Sequence, residues 1–117
     1  MQNKEVEKGK VLSLAEMIDY VPNAILIKTI LNKTTGNISV ASFDAGETMK
    51  EKKSPFDTFV QIIDGVAEIA IDGESNTLIS GQSIIIPAHY ANSIIANVRF
   101  KMINTIIKSG YDQVSIG

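Results

Sequence analysis

The sequence has no cysteine, a single histidine (His89) and a single arginine (Arg99). Without cysteine there is no disulfide, thiolate zinc site, iron–sulfur cluster or cysteine nucleophile. One imidazole cannot supply a two-histidine metal site within one chain. The formal charge is -2, so the basic excess of a nucleic-acid binder is missing, and one arginine leaves little capacity for bidentate phosphate contacts. No nucleic-acid partner is expected. No apolar run approaches the roughly 18 residues of a membrane span, and the opening "MQNKEVEKGK" lacks the apolar centre of a signal peptide. The reading is a cytoplasmic protein with no membrane partner, its residues 1–10 forming a flexible, solvent-facing tail.

What is present suits one packed domain, taken as residues 11–117. The chain has 117 residues, 44% of them hydrophobic, enough for one core. "VLSLAEMIDYVP" predicts a short N-terminal helix of one to two turns. Ser13 and Glu16 have capping-box spacing, Leu14, Met17 and Ile18 share a face, and Pro22 ends the segment.

The remainder reads as strands. "NAILIKTIL", "NISVASF", "DTFVQIID", "VAEIAIDG", "NTLIS", "SIIIP", "NSIIA" and "RFKMINTIIKS" are short, rich in β-branched residues and separated by turn residues. Asp64-Gly65 predicts a tight hairpin turn between the third and fourth of them, and Lys50–Asp57 predicts a loop between strands. About eight strands at this spacing argue for an all-β sandwich or barrel. Ile84-Ile85-Ile86 is apolar on both faces, which implies a second layer or a second subunit, so a homodimer is expected.

Two segments carry a family's spacing. Counted from Gly46, a frame of glycine, five residues, His-x-His, three residues, glutamate, six residues and glycine ends on Gly65. Counted from Gly81, a frame of glycine, five residues, proline, x-Gly, two residues, histidine, three residues and asparagine places its proline on Pro87. The chain thus resembles the cupin superfamily over roughly residues 24–107, in the manner of its small single-domain members. The resemblance implies a double-stranded β-helix, or jelly-roll barrel, in addition to the short helix. It also assigns the family's metal ligands to Lys52, Ser54, Thr58 and Asn92, its second-motif glycine to His89 and its asparagine to Ala96. None of those four side chains is a carboxylate or an imidazole, so no metal and no cofactor is expected.

The candidate ligand-binding residues are Lys52, Ser54, Thr58 and Asn92, with Gln61, His89 and Tyr90 beside them. Lys52 reads either as a cation facing the barrel mouth or as a solvated loop lysine. Gln61 shares a face with Phe59 and Ile63. His89 and Tyr90 follow Pro87, and the resemblance to metal-free sugar epimerases of this fold makes them a possible base and acid. Asp44, Glu47, Asp64, Glu68, Asp72 and Glu74 fall at strand ends and turns and suit solvated faces.

Three functions are compatible with this reading. The first is a metal-free small cupin of unassigned activity that binds a small polar or anionic ligand in its cavity or serves as a regulatory or structural module. The second is a metal-independent isomerase, epimerase or lyase using Lys52, His89 or Tyr90 on a small carbohydrate-like or carboxylate substrate. The third is a metalloenzyme with unorthodox ligands, which requires carboxylates and His89 to cluster in the cavity.

Overall fold

The computed structural model describes residues 5–111. Residues 1–4 of the expected tail and 112–117 of the expected domain lie outside the described residues. Eight strands occur among the described residues: β1 (Ile25–Lys33), β2 (Gly36–Phe43), β3 (Thr48–Lys52), β4 (Asp57–Ile71), β5 (Glu74–Ile79), β6 (Ser83–Ile86), β7 (Asn92–Ile95) and β8 (Phe100–Ile107). All pairings are antiparallel. One sheet runs β1-β2-β8-β4-β6 and the other β5-β4-β7-β3, so β4 belongs to both. The sheets curl into the all-β jelly-roll barrel anticipated above. Among the described residues no helix is long and apolar enough to cross a membrane.

The long β4 corrects the hairpin expected at Asp64-Gly65. The chain does not reverse there. It continues through Ile71, leaving its partners β8 and β6 for β7 and β5. The register slips between Ile62 and Asp64, and Gly65 adopts φ +78 opposite Phe100. A Cβ at Gly65 would overlap the Arg99 carbonyl oxygen and stand 2.8 Å from Phe100 Cα. Asp-Gly is a good turn dipeptide, but the same left-handed freedom serves a kink where two backbones nearly touch. The true tight turn lies at Asp72-Gly73, where φ is +50 and +81 between β4 and β5.

The barrel interior is filled from both sheets. Ala41, Phe43, Val60, Ile62, Ala67, Ile69, Leu78, Ile86, Ile94, Phe100 and Met102 form one buried cluster. Phe43 and Phe100 stack at 4.5 Å between centroids, on adjacent ends of β2 and β8. Each such side chain contributes about 1.5–3 kcal/mol on burial.

A second cluster, of Ile18, Ile30 and Val40 with Leu14, Met17, Leu26, Ile38 and Ile63, lies under the N-terminal segment. Val40 is buried there while Ala41 beside it faces the other cluster, so β2 is covered on both sides.

The N-terminal helix is corrected to a single 3-10 turn, Leu14–Glu16. The Ser13 side chain makes no capping hydrogen bond, and the turn is closed only by Glu16 N to Ser13 O at 2.9 Å and Met17 N to Leu14 O at 3.2 Å. A segment this short pays the nucleation cost without recovering it by propagation, so docking on the sheet decides its shape. That docking is specific. Ser42 Oγ donates to Asp19 O at 2.8 Å, and Lys101 Nζ to Ala15 O at 2.5 Å. The Tyr20 ring takes the Arg99 guanidinium and the Lys101 ammonium at 4.5 and 4.8 Å from its centroid, while its hydroxyl donates to Asp64. Burial, then the Asp64 contact, push the Tyr20 phenol well above the ordinary tyrosine range.

Further upstream, Val6 N donates to Ile30 O at 3.1 Å, and the Glu5 carboxylate accepts from Asn32 N and pairs with Lys8 and Lys33. The Asn32 amide first, and then the two lysines, hold the Glu5 carboxyl down at about 2. Residues 5 and 6 of the expected tail are therefore tied to β1.

Candidate functional site

The candidate site is built by the register of three strand groups. On β4, Thr58 lies opposite Ile86 of β6 and Ile106 of β8, and these three form one row of the inner face. The next inward row places Val60 between Ile84 and Asn104. On the other sheet, Asn92 and Ile94 of β7 are two residues apart and point the same way.

Lys52 reaches that face through an irregularity. Regular alternation from Met49 would turn Glu51 inward and Lys52 out. The β3–β7 register shifts between Met49 and Lys52, so Met49 pairs with Ile94 and Lys52 with Asn92. Both thereby come to line the interior, a common use of a strand bulge. The same strand corrects the expected loop, since residues 50–52 belong to β3 and Asp57 opens β4.

The result is a cavity of about 190 Å³ lined by Lys52, Ser54, Phe56, Thr58, Ile86, Pro87, Asn92, Ile94, Asn104 and Ile106. A smaller space of about 60 Å³ adjoins it, sharing Lys52, Ile94 and Asn104 and adding Met49 and Met102. Lys52, Ser54, Thr58 and Asn92 are thus brought together. Gln61, His89 and Tyr90 are not among the lining residues.

Gln61 stands opposite Ser83 and Ile103, on the face turned away from Val60. His89 and Tyr90 are exposed in the turn after Pro87. The His89 backbone N–H donates to Ser54 O at 2.6 Å, so the residue braces the cavity wall with its main chain. His89 also has φ +71, at the position where the resemblance puts a glycine. Motif glycines Gly46 and Gly81 have φ +92 and +93.

Asn104 was missed from sequence. It lines both spaces, and its signal is the inward alternation Phe100, Met102, Asn104, Ile106 along β8, with one amide among apolar side chains.

Two polar groups of the lining residues lack a matching partner. Asn92 is 4% exposed, and its Nδ2 donates to Lys52 O and Tyr90 O at 3.3 and 3.4 Å. Only the nitrogen end of the amide can donate to those two carbonyls, which leaves Oδ1 as its acceptor. Among the described residues no donor meets that buried oxygen. Lys52 Nζ contacts Met49 Sδ at 3.2 Å, a weak acceptor, and no carboxylate of the described residues pairs with it. The remaining lining polar groups are hydroxyls and an amide, with Ser54 Oγ accepting from Phe56 N at 3.1 Å.

At the mouth, Phe56 packs against Tyr111 with 6.0 Å between ring centroids, and the Tyr111 hydroxyl accepts from Asp57 N at 2.8 Å. Asp57 Oδ1 is itself engaged by Ala88 N at 2.8 Å.

The residues do not fit a divalent metal. An ammonium, two hydroxyls and an amide offer no anionic or imidazole donor to offset a double positive charge, and the ammonium repels it. Among the described residues no three His, Cys, Asp or Glu side chains come together as a metal-binding group. The carboxylate and His89 cluster required by the unorthodox-metal reading is therefore not formed by them.

No protein-family model and no curated protein sequence matches the chain. Solved structures do. A conserved protein of unknown function from Streptococcus pyogenes is 30% identical, with a TM-score of 0.85 over 93% of this chain and 96% of that one. A cupin superfamily protein from Desulfitobacterium hafniense is 28% identical, with a TM-score of 0.83 over 93% of this chain and all of that one. A cupin 2 conserved barrel domain protein from Leptotrichia buccalis is also 28% identical, with a TM-score of 0.81 over 83% of this chain and 47% of that one. The jelly-roll topology, the left-handed backbone at the motif glycine positions and these likenesses agree, and the chain belongs to the cupin superfamily.

Proposed function

We propose that the chain binds a small polar or anionic ligand in its barrel cavity, without a metal, through Lys52, Ser54, Thr58 and Asn92, with Asn104 as a further contact. The observation that carries this is the Lys52 side chain, whose ammonium pairs with no carboxylate of the described residues, lining one cavity with the polar residues Ser54, Thr58, Asn92 and Asn104. At about 190 Å³ the space is smaller than the roughly 300–1,000 Å³ of sites for drug-sized molecules, so a small metabolite is the matching class.

The test is titration of the protein with small carboxylates and small polyols, followed by calorimetry and by side-chain amide NMR. Binding is expected to shift the Asn92 and Asn104 amide signals. Lys52→Met is expected to weaken an anionic ligand by about 10-fold, the low end for a hydrogen bond to a charged group, as suits an exposed lysine. Affinity unchanged in Lys52→Met, or no ligand that moves these amides, would refute the proposal.

A homodimer belongs to the same reading. Phe59 and Ile85 face each other across β4 and β6 on the outer side, both substantially exposed, with Ile107 nearby on β8. Light scattering that returned the mass of one chain would count against it.

A further inference from the structure

A row of neutral polar side chains crosses the inner face, and only one of them is a motif position. Ser39 of β2 pairs directly with Asn104 of β8. Thr58 of β4 lies diagonally across from Asn104, because β4 and β8 pair Val60 with Asn104 and Thr58 with Ile106. Direct pairs stand about 4.5–5.5 Å apart at Cβ and diagonal neighbours about 7–8 Å. The row also joins the two spaces: Ser39 lines the smaller, Thr58 the larger and Asn104 both. All three residues are half-buried, and none makes a side-chain hydrogen bond among the described residues. Asn92 Oδ1 is the single unpartnered side-chain polar atom that is buried among those residues, so the polar atoms of this row are accessible.

Lys52 meets this row from the opposite sheet. It lines both spaces, and its ammonium rests on Met49 Sδ at 3.2 Å, beside the smaller one. Two one-sided ligands leave part of the arrangement unsatisfied. An alkyl carboxylate meets the ammonium, but it strips water from Ser39, Asn104 and Thr58 without replacing the hydrogen bonds. A neutral polyol replaces those bonds and gives the ammonium no negative partner. A carboxylate whose carbon chain carries several hydroxyls does both, and its C–H edge packs on Ile94 and Met49 across from the row.

We infer that the two spaces form one continuous site selective for polyhydroxylated monocarboxylates, with Ser39 as a binding residue of its smaller lobe. The carboxylate pairs with Lys52 where the spaces meet, and the hydroxyls exchange hydrogen bonds with Ser39, Asn104 and Thr58. The two hydroxyls and the amide can each donate and accept, so the row takes ligand hydroxyls in either sense. This rests on the cavity-binding proposal and deepens it. It adds Ser39, which no motif position marks, and makes hydroxyl content on an anion the basis of selection.

The experiment is calorimetry with D-gluconate, hexanoate and D-glucitol, probes of one chain length, on the wild type, Ser39→Ala, Asn104→Leu and Lys52→Met. Circular dichroism establishes that each variant is folded. Gluconate is expected to bind about 10-fold or more tightly than either other probe, because only it meets both the ammonium and the row. Ser39→Ala is expected to weaken gluconate about 5-fold, the effect of one hydrogen bond, and to leave hexanoate unchanged. Asn104→Leu acts in the same direction, and Lys52→Met weakens both acids. If Asn104→Leu does not fold, Ser39→Ala, which removes a single hydroxyl, decides the part played by the row. Equal binding of gluconate and hexanoate, with dependence on Lys52, would overturn the hydroxyl selection and leave the cavity-binding proposal standing. A gluconate preference indifferent to Ser39→Ala would overturn the role of the smaller lobe. Glucitol binding as tightly as gluconate would overturn the need for the carboxylate. No binding by any of the three would overturn this inference, and none by the wider carboxylate and polyol set would remove the cavity-binding proposal as well.

Discussion

The most discriminating test of the fold's construction is Gly65→Ala. Two separable penalties meet at this residue. Its φ of +78 lies in the left-handed region, which costs a residue bearing a Cβ about 1–2 kcal/mol relative to glycine. The added methyl would also overlap the Arg99 carbonyl oxygen and crowd Phe100 Cα at 2.8 Å. Both are backbone atoms, so no side-chain rotation relieves the overlap. Phe100 is fully buried and stacked on Phe43, and moving it disturbs the core rather than a surface loop. Overpacking of this kind adds about 1–3 kcal/mol. The sum, about 2–5 kcal/mol, is a large part of the roughly 5–15 kcal/mol that holds a domain folded.

Gly81→Ala separates the two penalties. Gly81 has φ +93, but a Cβ there would meet nothing within 4 Å, so only the conformational cost of about 1–2 kcal/mol applies. Urea denaturation followed by circular dichroism measures both variants under the same conditions. The expected result is a clearly larger loss for Gly65→Ala, with the excess assigned to the β4–β8 contact. Equal losses for the two variants would refute the argument that backbone proximity at the strand crossing is what requires glycine.

Other expectations follow from particular contacts. His89→Gly is expected to stabilise the protein by about 0.5–1 kcal/mol, because it relieves a left-handed histidine at the cost of some unfolded-state entropy, and to leave ligand affinity unchanged; paired denaturation and calorimetry check both halves. Lys101→Met removes the hydrogen bond to Ala15 O and the ammonium over Tyr20, for an expected loss of about 2 kcal/mol and faster amide exchange around residues 14–20. Glu5 has a depressed carboxyl, near 2 against an ordinary 4.5, so its contribution is present above about pH 4.5 and is lost as pH falls towards and through 2; exchange of the Asn32 amide should accelerate over that window. In an alkaline ultraviolet titration the Tyr20 phenol should ionise above the ordinary tyrosine range, and Asp64→Asn should bring it down.

How much of this was legible beforehand depended on whether the signal was local. The strand pattern follows from alternation, a property of the chain itself, while the four motif positions at the cavity follow from the resemblance to the cupin motifs. The Asp64-Gly65 error has the opposite cause. A left-handed glycine after aspartate looks the same whether the chain turns back or passes close to another strand, and only the presence of Phe100 decides between them. The direction of Lys52 was undetermined for a similar reason: it depends on a register shift against β7, which no property of "TMKEK" encodes. Asn104 was readable in principle from the inward series on β8. No motif spacing marks it, and one amide in an apolar series is equally compatible with an outward-facing position. The N-terminal helix failed because three apolar residues at helical spacing dock equally well from a 3-10 turn.

The agreement of frame and disagreement of chemistry has a structural explanation. The motif's glycine and proline positions are demands of the backbone: left-handed turns at Gly46 and Gly81, and a close approach at Gly65. His89 shows that even a position assigned to glycine is held by its φ rather than by its side chain, since the backbone there stays left-handed and its N–H still braces Ser54. The donor positions obey a different constraint. Lys52, Thr58 and Asn92 sit on strands whose direction is fixed by their neighbours Ile94, Ile86 and Ile106, so exchanging the polar side chain alters what the cavity can hold while leaving its walls in place. A metal supplies its own double positive charge, and needs anions and imidazoles around it. The present set inverts that requirement: the protein brings the cation, at Lys52, so under the binding proposal the negative charge arrives on the ligand.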